Sequence, residues 1–199
     1  MDLWIATSNA GKLKEFQNMA MSSQLKIRTP KELDFYTSPK ETGETFLENA
    51  KIKAVSLHKS LSDKNTWVLA EDSGLLVDGL DCLPGIHTAR YAGPNARDSE
   101  NNAKLMKMMG FKSPQNRNAH FFCSIFVISP EGKELSYESK LEGTIAKKLA
   151  GTSGFGYDPL FIPNGETKTL AELEPSFKAK NSHRSKAFKQ FLASLNSPG

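Results

Sequence analysis

The sequence predicts an α/β fold in which helices flank a mixed β-sheet, and two observations point to it. In the first part of the chain, apolar strand-like segments alternate with segments of helical periodicity, as in parallel βα units. Further along, HFFCSIFVIS and ELSYESKLEG are separated only by the turn PEGK, which predicts an antiparallel hairpin. With 199 residues, the chain is expected to form one domain that spans residues 1–199.

The first predicted βα unit is the strand LWIAT (3–7), a turn at Ser8–Gly11 and a helix that opens at Lys12. Ser8 or Asn9 is a suitable N-cap for this helix, because a short polar side chain accepts a hydrogen bond from the first turn. A second helix is predicted to begin near Thr45, where TFLE matches a capping box.

The apolar run WVLA is predicted to be a buried strand that ends where the acids of AEDSG (70–74) begin. Successive strand residues point to opposite faces, so Glu71 and Asp72 share one site only if the strand has ended. The remaining predicted elements are a short strand in LLVDGLDC, a helix over 98–110, a central strand over 120–129, the strand LFIP and a helix over 185–195.

Composition narrows the class of protein. Apolar residues make up 38% of the chain and charged residues 24%, as in an ordinary globular protein. No apolar run approaches the roughly 20 residues that span a bilayer, and the N-terminus lacks the regions of a signal peptide. The two cysteines show no metal-binding spacing and are predicted to be buried thiols. The protein is therefore expected to be cytoplasmic, with no membrane partner.

The net charge of +4 is compatible with a polyanionic ligand. Charge alone also suggests a nucleic-acid-binding protein as an alternative. The basic residues are scattered, however, apart from a cluster in KAKNSHRSKAFK (178–189), and they form no long stripe with interleaved aromatic residues. We therefore expect no nucleic-acid partner.

Two segments are candidates for phosphate and metal chemistry. TSNAGK (7–12) is a strand-to-helix junction whose backbone N–H groups attract anions, and Lys12 adds a positive charge; the alternative is a simple capped helix start. AEDSG offers a carboxylate that binds Mg²⁺ or acts as a base, and the alternative is a polar strand end. Glu41 and Glu44 of KETGE are further candidate ligands, although acids often precede helices for electrostatic reasons.

Two later segments are candidates for binding a nucleobase. GFGYDP places Phe155 and Tyr157 on a glycine-rich loop, where an aromatic ring can stack on a base and Asp158 can accept hydrogen bonds. The alternative is that both rings anchor the loop to the core. The SHR segment offers His183 and Arg184 as donors, or else forms a solvated start to the last helix. Together, the four segments predict a site for a nucleoside polyphosphate.

The same segments, in the same order, resemble the inosine triphosphate pyrophosphatase family. The matching stretches are TSNAGKLKEF (7–16), ETGETFLENAKIKA (41–54), AEDSGLLVDGLDCLPGIHTARYAG (70–93), GTSGFGYDPLF (151–161) and K-x-x-x-S-H-R (178–184). The resemblance implies hydrolysis of non-standard purine nucleoside triphosphates (ITP, dITP and XTP) to a nucleoside monophosphate and pyrophosphate. It also implies dependence on Mg²⁺, a homodimer, and an elongated mixed sheet with an active-site cleft between two lobes.

The resemblance further implies roles for individual residues. Asp72 matches the family's proton acceptor and metal ligand, Lys12 is expected on the phosphates, and Phe155 is expected to stack on the base. The expected substrate-binding residues are Thr7, Ser8, Asn9, Ala10, Gly11, Lys12, Ser73, Phe155, Gly156, Tyr157, Asp158, Lys178, His183 and Arg184.

One position departs from the family pattern. Lys40 stands where the family commonly has the first of two acids, so either Glu41 is the second metal ligand or Asp72 holds the ion with water and phosphate. The departure also supports an alternative function, a nucleotide-binding module without catalysis. A pyrophosphatase for other modified nucleotides is a further alternative, but FGYD and SHR favour purines, because donors from His183 and Arg184 suit the C6 oxygen of hypoxanthine and xanthine.

Overall fold

The computed structural model describes residues 1–21, 23–111 and 116–195 of the chain. Its strands are β1 (Asp2–Ile5), β2 (Lys26–Arg28), β3 (Trp67–Val77), β4 (Leu83–Pro84), β5 (Asn118–Ile128), β6 (Glu134–Ile145) and β7 (Phe161–Pro163). Its α-helices are α1 (Ala10–Ala20), α2 (Phe46–Ser60), α3 (Asp98–Phe111), α4 (Pro175–Asn181) and α5 (His183–Leu195). Among the described residues, no helix has the length and apolar character that crossing a membrane requires.

Within the described ranges the strands form a seven-stranded sheet in the order β2-β1-β3-β5-β6-β7, with β4 pairing with β3. β1 is parallel to both β2 and β3, whereas β4 is antiparallel to β3 and β7 is antiparallel to β6. Only the short turn 129–133 connects β5 and β6, so these neighbours form a hairpin. The predicted mixed sheet flanked by helices is confirmed.

Contacts divide the chain into two compact units. The first unit comprises Met1–Asp72, Cys123–Ser139 and Arg184–Gly199, and the second comprises Ser73–Phe122 and Lys140–His183. Three central strands, β3, β5 and β6, contribute residues to both units. The elongated shape and the cleft between two lobes stay predictions.

The first unit buries an apolar layer on each face of its strands. On one face, Leu69 of β3 packs with Phe16 of α1 and Phe188 of α5. On the other face, Val68 and its neighbours pack against α2, where Ala50, Ala54 and Leu57 are completely buried. Because strand residues alternate between faces, the even-numbered residues of β3 as far as Asp72 face α2 and the odd-numbered residues as far as Glu71 face α1 and α5.

The second unit has its own core. Leu105 and Met109 of α3 pack with Leu75, Val77 and other buried residues of the surrounding strands. The rings of Phe121 and Phe161 lie 4.7 Å apart between centroids, and burial of such aromatic rings contributes strongly to stability. This core also includes Tyr157, which belongs to the glycine-rich loop.

Both predicted helix starts agree with the structure. Asn9 caps α1, its Oδ1 accepting from the Lys12 N–H at 3.0 Å, so the helix begins at Ala10, two residues earlier than predicted. Thr45 caps α2, and its hydroxyl and the Glu48 carboxylate form the predicted capping box.

Three predictions are wrong: the end of the WVLA strand, the separate short strand in LLVDGLDC, and the burial of Cys82. The strand WVLA does not end at the acids: β3 continues through Glu71 and Asp72 to Val77, because LLV is apolar and buries Leu75 and Val77 completely. Glu71 and Asp72 therefore point to opposite faces of one continuous strand. Of the two predicted buried thiols, Cys123 is buried but Cys82 is exposed, in a turn where its φ is 64°.

Candidate active site

In the first unit, the carboxyl end of β1 lies beside the middle of the parallel strand β3. The chain leaves β1 through α1 to reach β2 on one side, then returns through α2 to β3 on the other side. Ligands of open α/β sheets bind where connections diverge in this way. Ile5 is aligned with Leu69, so the segment 7–12 after β1 lies beside the part of β3 that carries Glu71 and Asp72.

Glu71 is the centre of a buried ion-pair cluster on the α1 and α5 face. Its carboxylate lies 2.8 Å from Lys12 Nζ and 2.9 Å from Arg184 Nη2. Arg184 also pairs with Glu15 of α1 and is only 2% exposed. Burial lowers the pKa of Arg184, but the charges of Glu71 and Glu15 more than offset this, so the pKa is raised and the guanidinium stays charged.

Cys123 lies beside this cluster in the first unit. Its Sγ is 3.6 Å from Glu71 Oε1. Burial and the negative charge of Glu71 raise the pKa of this thiol well above its ordinary value. The thiol is therefore neutral at physiological pH and acts as a weak donor to Glu71.

Asp72 is the centre of a second group, on the α2 face. Lys53 Nζ lies 3.4 Å from Asp72 Oδ1 and 2.8 Å from Glu41 Oε1, so one ammonium links two carboxylates. Burial raises the pKa of Asp72, and the positive charges of Lys53 and Lys12 oppose that rise. For Lys53 itself, burial lowers the pKa, but Asp72 and Glu41 outweigh burial and the net pKa is raised.

The second oxygen of Asp72 is the most informative atom of this group. Oδ2 is buried and has no hydrogen-bond partner among the described residues. An unpartnered buried carboxylate oxygen is costly, so such an atom indicates a ligand, a proton or an ion that binds there.

The residues fit a magnesium ion held largely by its substrate. No group of three or more His, Cys, Asp or Glu side chains within the described ranges forms a ready metal cage. Magnesium, however, is commonly bound by one or two carboxylates, with phosphates and water completing its shell. Asp72 Oδ2 and the 29% exposed Glu41 supply carboxylates of that kind, whereas Lys40 is exposed.

The segment 7–12 has the geometry of an anion-binding helix start. Thr7 Oγ1 accepts from the Asn9 N–H at 3.2 Å, and Asn9 caps α1 in turn. Ser8, Asn9 and Ala10 are exposed, whereas Thr7 and Gly11 are half-buried. The Lys12 side chain is 17% exposed, so its ammonium reaches the surface beside these N–H groups while it pairs with Glu71.

In the second unit, Phe155 and Lys178 form the core of the candidate base site. Lys178 Nζ lies 4.3 Å from the centre of the half-buried Phe155 ring, a cation–π contact. Asp158 holds both residues: its Oδ2 accepts from Lys178 Nζ at 2.6 Å and from the Phe155 N–H at 3.0 Å. Asp158 is only 2% exposed, so it positions Lys178 and the loop.

Tyr157 and Phe155 have different environments, which separates the two possibilities left by the sequence. Tyr157 is 3% exposed and its hydroxyl donates to the Thr88 carbonyl at 2.9 Å, as expected for a loop anchor. Burial raises the pKa of Tyr157, so its hydroxyl stays protonated as a donor. Gly156, between the two aromatics, has a φ of 62°, a conformation that favours glycine.

The last predicted site residues are buried. His183 is 4% exposed and its ring stacks on Phe121 at 4.9 Å between centroids, both in the second unit. Ser73 is 7% exposed within β3. Arg184 is 2% exposed, and its Nη1 and Nη2 pair with Glu15 and Glu71.

Sequence reasoning missed Lys53. Its position was informative, because Lys53 lies one helical turn after Asn49 and next to Ala54. Both of these residues belong to the buried face of α2. A lysine at such a position needs acidic partners, and Asp72 and Glu41 are those partners.

Comparisons with known proteins find a matching family model and similar proteins. The family model described as Ham1 family matches residues 3–194. A protein of Bdellovibrio bacteriovorus named dITP/XTP pyrophosphatase is 49% identical over 196 residues, covering 98% of each chain. A protein of Listeria monocytogenes with the same name is 42% identical over 191 residues, covering 96% of this chain and 93% of the relative.

Solved structures show the same fold. The HAM1 protein from Coxiella burnetii matches with a TM-score of 0.88 at 34% identity, covering 98% of each chain. The Ham1 protein from Staphylococcus aureus matches with a TM-score of 0.84 at 36% identity, again covering 98% of each chain.

Proposed function

The chain belongs to the Ham1 family, and from that premise we propose that it hydrolyses the non-standard purine nucleoside triphosphates ITP, dITP and XTP. The products are a nucleoside monophosphate and pyrophosphate, and the reaction removes these nucleotides from the pool. The observation that carries the proposal is Asp72, a buried carboxylate with Oδ1 held by Lys53 and Oδ2 without a partner among the described residues. The names of the relatives support the substrate class.

Asp72 acts as the general base. Its carboxylate orients a water molecule and accepts a proton as the water oxygen bonds to the α-phosphorus. The bond from the α-phosphorus to the bridging oxygen breaks, and pyrophosphate leaves with the electron pair. Asp72 and Glu41 would hold Mg²⁺, which when bound neutralises negative charge on the phosphate oxygens.

The lysines have separate tasks. Lys12 donates to the triphosphate at the start of α1, where the backbone N–H groups of Ser8 to Gly11 also favour negative charge. Glu71 orients Lys12 through their ion pair, and Arg184 balances the charge of Glu71. Lys53 holds Asp72 Oδ1, which directs the other carboxylate oxygen towards its ligand.

Replacing Lys53 with Met is expected to lower kcat for dITP by about 100-fold, because the base loses its orienting donor and its positive neighbour. The measurement is steady-state pyrophosphate release. Lys51→Met is the matched control, since Lys51 lies on the same helix but is 49% exposed, pairs at the surface with Glu134 and lies over the Phe126 ring. Equal kcat values for the two variants would contradict a role for Lys53 in the site.

Phe155 stacks on the base, with Asp158 and Lys178 fixing its surroundings. Phe155→Ala is expected to raise KM for dITP about tenfold, because base–aromatic stacking contributes roughly 1–3 kcal/mol per base. The inhibition constant of inorganic tripolyphosphate, which has no base, should not change. Phe155→Tyr keeps the ring and serves as the control, and an equal loss for both ligands would argue against stacking.

Selection of purines with a C6 oxygen rests on donors. Hypoxanthine and xanthine accept a hydrogen bond at C6, whereas adenine donates one there, and a buried donor left unpaired discriminates strongly. In the second unit, His183 and Lys178 are the candidate donors to the C6 oxygen. Arg184, which the sequence suggested as a reader of the base, is buried and pairs with Glu71 and Glu15, and we infer that it acts through these two carboxylates.

Two further parts of the proposal rest on the family resemblance. We expect a homodimer, which sedimentation or light scattering would measure. We also expect a cytoplasmic protein, in keeping with a substrate drawn from the nucleotide pool.

The experiment that tests the function is a panel of triphosphates assayed with Mg²⁺. ITP, dITP and XTP should be hydrolysed with kcat/KM well above that for ATP and GTP. Turnover of ATP and GTP at the same rates would overturn the substrate class. Tight binding of dITP without any turnover would support the non-catalytic module instead.

A further inference from the structure

Two polar side chains of α3 bind both peptide groups of one loop residue in the second unit. Asp98 Oδ2 accepts from the Gly156 N–H at 2.6 Å, and Asn102 Nδ2 donates to the Gly156 carbonyl at 2.8 Å. Asp98 and Asn102 are four residues apart, so they lie one above the other on the same face of the helix. Neither belonged to any sequence motif that suggested a site.

These bonds constrain the backbone that carries Phe155. The Gly156 N–H belongs to the peptide that follows Phe155, so Asp98 fixes the orientation of that peptide. The peptide before Phe155 is fixed by its own N–H, which donates to Asp158. Both peptides that flank the Phe155 Cα are therefore held by carboxylates.

The glycines of the loop do not fix its geometry by themselves. Gly154 and Gly156 adopt φ values of 79° and 62°, which glycine leaves readily for other conformations when nothing holds it. A Cβ at Gly154 would collide with the Asp158 carboxylate, so the loop cannot be stiffened by a larger residue there. The side chains that form hydrogen bonds with the loop therefore contribute to its order.

Asn102 commits a buried amide to this task. It is 4% exposed, although it lies on a helix whose adjacent residues Ala103 and Lys104 are exposed. The Nδ2 of this buried amide donates to the loop carbonyl, while its Oδ1 is buried without a hydrogen-bond partner among the described residues. An apolar residue at position 102 would join the neighbouring core of Leu105 and Met109 more cheaply, but it would not hold the loop.

We propose that Asp98 and Asn102 are positioning residues that hold the Gly156 peptides and thereby set the plane of the Phe155 ring for the nucleobase. The inference rests on the proposed role of Phe155 in base binding. Stacking requires the ring to be in place before the base arrives, because ordering the loop on binding would consume part of the stacking free energy. The two residues therefore affect affinity for the base and leave the phosphate chemistry unchanged.

The test compares two ligands on the wild type and a set of variants. Wild type, Asp98→Ala, Asp98→Asn and Glu100→Ala are titrated with a dITP analogue that has nitrogen between the α- and β-phosphorus, and with inorganic tripolyphosphate. Glu100 is the matched control, because it is also an acid in the first turn of α3 and its carboxylate accepts the Arg97 N–H, but it does not bind the loop. Asp98→Asn keeps an acceptor oxygen for the Gly156 N–H.

Asp98→Ala is expected to weaken the analogue about fivefold, an effect of the size that one typical hydrogen bond contributes, with tripolyphosphate affinity unchanged. Asp98→Asn should restore most of the affinity, and Glu100→Ala should leave it at the wild-type value. Asn102→Ala should reproduce the Asp98→Ala effect, with a melting temperature measured alongside. Parallel loss for both ligands, or an equal loss in Glu100→Ala, would overturn the inference.

The outcome separates this inference from the proposed function. Hydrolysis of dITP by the wild type is measured in the same preparation. Absence of pyrophosphate release would overturn the proposed function, whereas the ratio of the two affinities in Asp98→Ala decides the positioning role alone.

Discussion

Asp72→Asn is expected to lower kcat for dITP by about 1,000-fold, within the 10²–10⁴ range that a general base contributes, while the melting temperature stays within a few degrees of the wild-type value. The amide has the shape of the carboxylate, and its oxygen can still accept from Lys53, which lies 3.4 Å from Oδ1. It cannot accept a proton from water at neutral pH. Pyrophosphate release and a thermal melt measure the two quantities.

The adjacent carboxylate provides the sharpest control. Glu71→Gln removes the same charge one residue earlier on the opposite face of β3, where Glu71 pairs with Lys12 and Arg184. This variant should lower the melting temperature, since a buried guanidinium loses its counter-charge. A kcat within threefold of the wild-type value in Asp72→Asn would remove Asp72 from the chemical step.

Arg184→Met should be the most destabilising single change in the first unit. Breaking a buried ion pair from one side costs about 3–5 kcal/mol, and here Glu71 loses its partner on α5 while Glu15 loses its link to that helix. For a chain of this size, such a loss lowers the melting temperature by roughly 6–15 °C. Differential scanning calorimetry measures this shift.

An exposed ion pair provides a reference for the stability loss that is expected in Arg184→Met. Lys140 lies 2.5 Å from Glu142, but the two side chains are 59% and 51% exposed, so Lys140→Met should change stability by at most about 1 kcal/mol. The other reading of Arg184, as a direct contact to the base, predicts a different result. An unchanged melting temperature with a raised KM for dITP alone would favour that reading.

Local sequence rules predicted the parts of the fold that depend on short-range contacts. Asn9 and Thr45 cap their helices because the capping bonds involve residues three positions away, which the sequence displays directly. The alternation of Leu135, Tyr137 and Leu141 in β6 was likewise readable, and all three are at least half-buried.

The predictions that failed concern features of the fold that depend on tertiary contacts. Glu71 and Asp72 resemble a strand end, since unpaired acids are excluded from cores, but Lys12, Lys53 and Arg184 supply the charges that allow β3 to continue. These partners come from α1, α2 and α5, far apart in sequence. For the same reason, the pairing of Asp98 and Asn102 with Gly156 carried no sequence pattern.

The alternation of side chains along a strand explains why Glu71 and Asp72 lie in different groups. Alternation along a strand demanded that Glu71 and Asp72 serve different sites if the strand continued. The structure satisfies that condition: Glu71 lies in an ion-pair cluster with Lys12 and Arg184, whereas Asp72 lies on the other face with Lys53 and keeps a buried oxygen without a hydrogen-bond partner among the described residues.

The most direct test of the account is hydrolysis of dITP in water enriched in oxygen-18, with both products analysed by mass spectrometry. Attack on the α-phosphorus, assisted by Asp72, predicts one labelled oxygen in the nucleoside monophosphate and none in the pyrophosphate. Label in the pyrophosphate would place the attack on the β-phosphorus, and release of orthophosphate would place it at another bond. Either result would contradict the mechanism.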